Sequence, residues 1–519
     1  MQIKPSLLIL ACTAWPAFAQ QQPQEQPLSA IDWLAVPQNA APVVVVPEAN
    51  PVAQSATVPE VEVQSLDAPG VGGVGLLPGS VTGLPPSLWR GSSEADLIAA
   101  LDLLQIRRPS VPALTGLLHI LMLAEAEPPS SATGDAFLNA RVNLLYRHGL
   151  VPPAEALMER VGFLTPQLFD LAFDLALLTG TDEALCAVLS DAPNLSTDLP
   201  TRIWCATRSG DYSHAITIYQ TGVALGQLSD LDTELLLRFL DPEYAEDAEP
   251  MPPPVRPTPL QFRLFEAIGE ALPTTPLPLS FAVVELSGDS GWHAQLQAAE
   301  RLARAGAIDG NQLLGVYTAQ KPAASGGIWD RVDALQRFET ALARSMPDAV
   351  SSALEQVWPQ MRAAGLLVPF SNLFASRLQG LSLSERAETI AATAGLLSDG
   401  YESVAQDLAA SPDPNLAFLA SLARGQKPIR IPADVPHAAA LAEAWSDTAQ
   451  APGELAGLPG QNRLGEALLS AIRNFDAGAS GNDAELTEAL RALRAFGLED
   501  TARRAVLQLA ILDMEGARR

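Results

Sequence analysis

From Ser92 onward, apolar residues recur every three or four positions, the spacing of one face of an α-helix. SSEADLIAALDLLQI carries acids in its first turn and leucines at helical spacing. TPQLFDLAFDLALLTG has Thr165 as N-cap, Pro166 at the first helical position and Gly180 past the end. RVDALQRFETALARSM sets Val332, Leu335, Phe338, Leu342 and Met346 on one face. AELTEALRALRAFG does the same with Leu486, Leu490, Leu493 and Phe496. Candidate helices follow one another to the C-terminus, mostly short and separated by Gly, Pro or Asp turns. Strand-like alternation is almost absent. SFAVVEL (280–286) is the best strand candidate, with a buried helix as its alternative. The pattern predicts an all-α fold.

A weak internal repeat runs through these helices. A glycine is followed five residues later by an alanine at Gly149/Ala154, Gly210/Ala215, Gly400/Ala405 and Gly497/Ala502. Glycine can take the left-handed position that ends one helix, and alanine one turn into the next lets the two cross closely. That is the turn of a helical hairpin. The strongest copy, SGDYSHAITIYQTGVALG, resembles the second half of a tetratricopeptide repeat through Gly210, Asp211, Tyr212, Ala215, Ile216 and Tyr219. Leu199, Arg202, Ile203 and Ala206 stand where that family has its Trp, Leu, Gly and Tyr. CATRSGDYSHAITIYQ is similar also to the superhelical region of soluble lytic transglycosylases. Both resemblances imply an α-solenoid of helical hairpins, which in the first family serves protein–protein binding.

The chain before the helices is different. Residues 20–89 contain no Lys or Arg, six acids and eleven prolines, a composition that predicts a disordered or extended Pro-rich arm. Two apolar islands interrupt it. Ile31, Trp33 and Leu34 are a candidate docking motif for another protein, or else a strand laid on the body. Leu84, Leu88 and Trp89, just before the first helix, are candidates for a lid packed on the end of the helical domain. DPEYAEDAEPMPPPVRPTP (241–259) combines five acids with seven prolines. Residues 242–259 therefore read as a loop between an N-terminal helical block (90–241) and a C-terminal one (260–519).

The first residues change the expected location. Lys4, the short apolar run Leu7–Ala14, Pro16 and Ala17-Phe18-Ala19 read as a signal peptide over residues 1–19, cleaved near Ala19. Ile9-Leu10-Ala11 before Cys12 offers a second reading, a lipid-anchored cysteine. No segment reaches the roughly 18 continuous apolar residues of a membrane span. The expectation is periplasmic or secreted. In an oxidising compartment the remaining cysteines, Cys186 and Cys205, pair as a structural disulfide between neighbouring helices. A net charge of −27, with lysine only at 4, 321 and 427, excludes a phosphate-backbone partner for lack of a basic stripe.

Candidate chemistry adds little. His119, His148, His214, His293 and His437 are isolated in sequence and give no metal-ligand spacing. SGDSGW (287–292) reads as a turn and helix cap. The transglycosylase likeness lacks the catalytic domain's Gly-Leu-Met-Gln, and Glu402-Ser403 is the single Glu-Ser pair weighed against it. No catalytic residue, metal or cofactor is assigned. The expected function is a non-catalytic scaffold or adaptor that binds another cell-envelope protein. The alternative is a peptidoglycan-associated module.

Overall fold

Capping groups set where the helices begin. Asp198, Asp211, Ser229 and Thr258 each accept a backbone N–H from the first turn of the helix they precede, at 2.9 to 3.1 Å. Thr258 and Gln261 close a full capping box. The computed structural model describes residues 71–517, apart from 133, 163, 164, 288, 289 and 447–449. The candidate leader, Cys12 and the Ile31, Trp33, Leu34 island lie outside the described residues.

The described residues form one compact, all-helical unit; the only β-pairing among them is an isolated bridge between Leu77 and Ala124. Antiparallel neighbours pair along the chain: Leu199–Arg208 with Tyr212–Ala224, Ile328–Ala343 with Pro347–Ala364, Leu367–Leu378 with Glu385–Leu397, and Leu464–Ala479 with Asp483–Ala495. The hairpin glycines behave as expected at three of four places. Gly149, Gly210 and Gly497 have φ of 85°, 81° and 83°. Gly400 has φ −87° and instead precedes helix Tyr401–Asp407. Ala154, Ala215, Ala405 and Ala502 are all fully buried. No helix among the described residues is long and apolar enough to cross a membrane.

The structure decides three sequence expectations. SFAVVEL takes its helical alternative and not the strand: Leu279–Ser287 forms a 3-10 helix packed on helices Pro166–Thr179 and Trp292–Arg304. A buried segment with no neighbouring strand must satisfy its backbone locally, which a 3-10 turn does. The 242–259 segment is not a boundary between separate blocks. Pro242–Asp247 is helical, and helix Pro259–Ala267 packs back on Pro166–Thr179, where Arg263 Nε donates to the Leu177 carbonyl at 2.6 Å. Finally, the end of the expected arm belongs to the body. Leu88 and Trp89 are fully buried, and the backbone N–H groups of Leu76 and Leu77 both donate to the Leu123 carbonyl.

Arg141 fixes that N-terminal strap. Its fully buried guanidinium donates to the carbonyls of Met122, Ala124, Gly72 and Val74 at 2.6 to 3.0 Å. Burial pushes its pKa down to about 10, so it remains charged at neutral pH.

The two ends of the described chain meet. Helix Glu499–Met514 packs on Pro112–Leu123, and Leu464–Ala479 packs on Glu94–Ile106. Helix Pro112–Leu123 has no side-chain cap of its own. Gln508 accepts the Ala113 N–H at 2.7 Å, and Asp476 accepts the Ser110 N–H at 2.8 Å. Gln508, nearly 400 positions downstream, thus satisfies a donor that a lone helix end leaves open, while Asp476 holds the residue just before the N-cap Val111. The strap joins the same seam: Gly465 N donates to Leu88 O and Gly91 N to Asn462 O, both at 2.9 Å. A Cβ on Gly465 would stand 2.2 Å from the Trp89 ring, so glycine is what allows the indole to seat there. In an open solenoid each repeat touches only its neighbours; this contact between first and last helices departs from that.

Candidate protein-interaction face

Helix Tyr212–Ala224, the segment with the repeat-like motif, is started by the left-handed Gly210 and by Asp211, which accepts the His214 N–H at 3.0 Å. Only Ala215 and Gly222 are buried. Gly222 lets the helix approach closely, since a Cβ there would sit 2.9 Å from a Leu199 methyl. Tyr212, Ile216, Tyr219 and Val223 follow i, i+4, i+7, i+11 spacing and share one stripe. Tyr219 is half-buried and donates its hydroxyl to the Thr233 carbonyl at 3.1 Å. The others face solvent: Tyr212 is 60% exposed, Ile216 40% and Val223 43%, with Leu225 just past the helix at 64%. Isolated exposed apolar residues are ordinary, but an aligned stripe on an outer helix is an unpartnered surface.

The charge around the stripe is one-sided. Residues 209–250 hold nine acids and a single cation, Arg238. Arg238 is buried and committed to Glu234 at 2.8 Å and Glu270 at 2.9 Å. Asp211, Asp230, Asp241, Glu243, Glu246, Asp247 and Glu249 remain exposed. Burial first, and then the Glu234 charge, raises the Tyr219 phenol above its usual range. The stripe is therefore an apolar ridge in an acidic surround.

The hairpin that leads into this helix is stapled. Cys186 and Cys205 form a disulfide with a Cα–Cα distance of 4.8 Å, joining helices Asp182–Asp191 and Leu199–Arg208. Asp182 reinforces the pair, accepting from Trp204 Nε1 at 2.8 Å and from Arg208 Nε at 3.2 Å.

The other residues weighed for chemistry fall elsewhere. Glu402 is exposed and ion-paired to Arg503 at 2.9 Å, while Ser403 donates to the Gly400 carbonyl. A carboxyl kept as a general acid is ordinarily buried; this one is not. His119 and His148, 29 positions apart, meet in the core with Nε2 and Nδ1 3.0 Å from each other, and His148 Nε2 lies 3.1 Å from the Leu104 carbonyl. The carbonyl can only accept, so His148 carries its proton on Nε2 and accepts from His119 through Nδ1. Burial is the main cause that pushes the pair down to about 3 and about 4. No group of three or more His, Cys, Asp or Glu among the described residues could hold a metal ion. His214 is exposed, and the His293 ring lies 5.4 Å from that of Trp329. Sequence periodicity could have marked the stripe, because Tyr212, Ile216, Tyr219 and Val223 are visible in it; what it could not show is that the opposite, small-residue side is the one buried. Comparison with protein-family models, with curated proteins and with solved structures finds no match to this chain.

Proposed function

We propose that this chain is a non-catalytic, exported scaffold or adaptor, acting in the periplasm or outside the cell, that docks another envelope protein on the Tyr212–Ala224 helix. The carrying observation is the exposed Tyr212, Ile216 and Val223 stripe within a segment of nine acids and one buried arginine. A partner that buries this stripe must bring apolar side chains at helical spacing and cations at its rim, the mode of an amphipathic basic helix laid on a hydrophobic face. A second copy of the chain would set acidic rim against acidic rim, which opposes self-association. The Cys186–Cys205 disulfide supports the oxidising location. Hairpins stacked as in an α-solenoid, with their ends drawn together, would hold the docking helix rigid.

Titration of the full chain with a labelled cationic amphipathic helical peptide tests this. Saturable binding that weakens with salt is expected, and it should be lost in the Ile216→Asn/Val223→Asn variant, which keeps every charge. Equal binding by the variant would reduce the effect to bulk acidity and overturn the proposal. Retention on purified peptidoglycan sacculi, without other proteins, would favour a wall-binding module instead.

A further inference from the structure

Between helices Pro414–Ala423 and Ala438–Glu443 the chain runs through a loop, GQKPIRIPADVP. Both of its ends are tied down. Gly425, left-handed at φ 66°, closes the first helix, and Gln426 N donates to the Ser421 carbonyl at 2.9 Å. At the far end Val435 is buried and His437 Nδ1 lies 2.6 Å from Asp483 Oδ1. Pro428 is buried between them. Pro428 and Pro432 fix their own φ and disfavour the helical region for Lys427 and Ile431, the residues before them. The loop is therefore stiff and has little conformational freedom left to lose on binding.

What the loop presents runs against the composition of the chain. Ile429 is fully exposed, more so than any other large apolar side chain among the described residues, and Ile431 is more than half exposed. Lys427 and Arg430 are interleaved with them. Both are exposed, and neither makes an ion pair or side-chain hydrogen bond with the described residues. The Glu443 carboxyl is held low by the Ser446 hydroxyl, then by Arg491 at 2.7 Å, and last by Lys427, which makes no ion pair with it. In a chain of 59 acids, residues 414–433 hold none; the next is the exposed Asp434. Exposed apolar residues are ordinary singly, but here two of them share five positions with two unpaired cations.

We propose that residues 427–431 form a membrane-surface contact: Ile429 and Ile431 enter the headgroup–acyl boundary of an anionic bilayer while Lys427 and Arg430 pair with lipid phosphates. A protein partner would need a pocket shaped to a side chain that stands wholly in solvent, whereas a bilayer closes around it without one. The net charge of −27 does not forbid the contact. At physiological ionic strength charges more than about 8 Å away are largely screened, so the loop meets the headgroups on its own charge. One short loop gives reversible binding at the surface rather than an anchor. The contact is independent of the Tyr212 face, whose helix packs on Leu199–Arg208 and Asp230–Leu240.

Flotation with vesicles tests it, using the protein purified from the cells that make it, at about 0.15 M salt. One set of vesicles is phosphatidylglycerol with phosphatidylethanolamine, the other phosphatidylcholine alone. Binding to the anionic set is expected to saturate and to be about tenfold or more tighter than to the neutral set. Ile429→Ser/Ile431→Ser, which keeps every charge, should weaken it about tenfold or more. Lys427→Gln/Arg430→Gln, which keeps both isoleucines, should bind the two sets alike. A photo-crosslinking amino acid at position 429, in the otherwise native chain, should capture lipid. No preference for the anionic vesicles, or equal binding by the isoleucine variant, would overturn the proposal. So would a crosslink from position 429 to a protein segment and to no lipid, which would make the loop a protein contact instead.

Discussion

Asp174 and the His119–His148 pair give the protein opposite sensitivities to pH. The Asp174 carboxyl is raised to about 7 by burial, then by the charges of Asp170 and Asp198. Between about pH 4 and pH 7 the folded chain therefore holds a proton there that the unfolded chain releases, and stability falls as pH rises through that window. Asp174→Asn should raise the melting temperature at pH 8 and leave it nearly unchanged at pH 4; equal gains at both would contradict the assignment. The histidines run the other way. Their folded values of about 3 and about 4 lie below the ordinary imidazole, so the unfolded chain takes up protons first as the pH falls. Stability is lost progressively from about pH 6.5 downward. His119→Gln keeps a donor for His148 and removes one of these groups, so urea unfolding across pH 4 to 7 should show a shallower acid loss. None of this is legible in the sequence. His119 and His148 are distant in the chain, and Asp174 reads there as one more polar position on helix Pro166–Thr179.

At the scale of the element, periodicity and capping chemistry carried most of the information. Thr165, Pro166 and Gly180 mark the ends of their helix, with Gly180 left-handed at φ 80°. Cys186 and Cys205, on adjacent antiparallel helices, could be paired from spacing and the turn between them. Closing a loop of that length is worth about 3 kcal/mol in the chain-entropy account. Cys186→Ala should therefore melt lower than the parent under oxidising conditions and match it under reductant; matching under both would mean that the bridge does not form in solution. SFAVVEL stayed open between strand and helix because a short, continuous apolar run looks the same in either. The environment of Leu279–Ser287 decided it, and local spacing does not encode that environment.

The whole molecule is held by a seam that pattern reading does not reveal. Gln508 finishes the start of helix Pro112–Leu123, Asp476 holds the residue before its N-cap, and Trp89 sits between Phe137, edge-on at 5.5 Å, and Gly465. A hydrophobic period identifies a helix's buried face but not the distant element that covers it. The open hairpin array was thus a reasonable expectation, and so was an arm running to residue 89. Trp89→Ala should cost about 3 to 5 kcal/mol, as large buried aromatics do, measured by denaturant unfolding. Truncation through residue 91 should destabilise the body further, because it also strips Arg141 of two of its carbonyl partners. A Trp89→Ala protein as stable as the parent would remove the seam from the account. The central claim concerns the outer face of this closed body. It is tested most directly with a photo-crosslinking amino acid at position 216 in the cells that make the protein, followed by mapping of the captured peptide. The predicted result is an adduct to a segment rich in Lys and Arg with apolar residues at helical spacing, lost on Val223→Asn. Adducts only to acidic segments or to a second copy, or adducts indifferent to Val223→Asn, would contradict it.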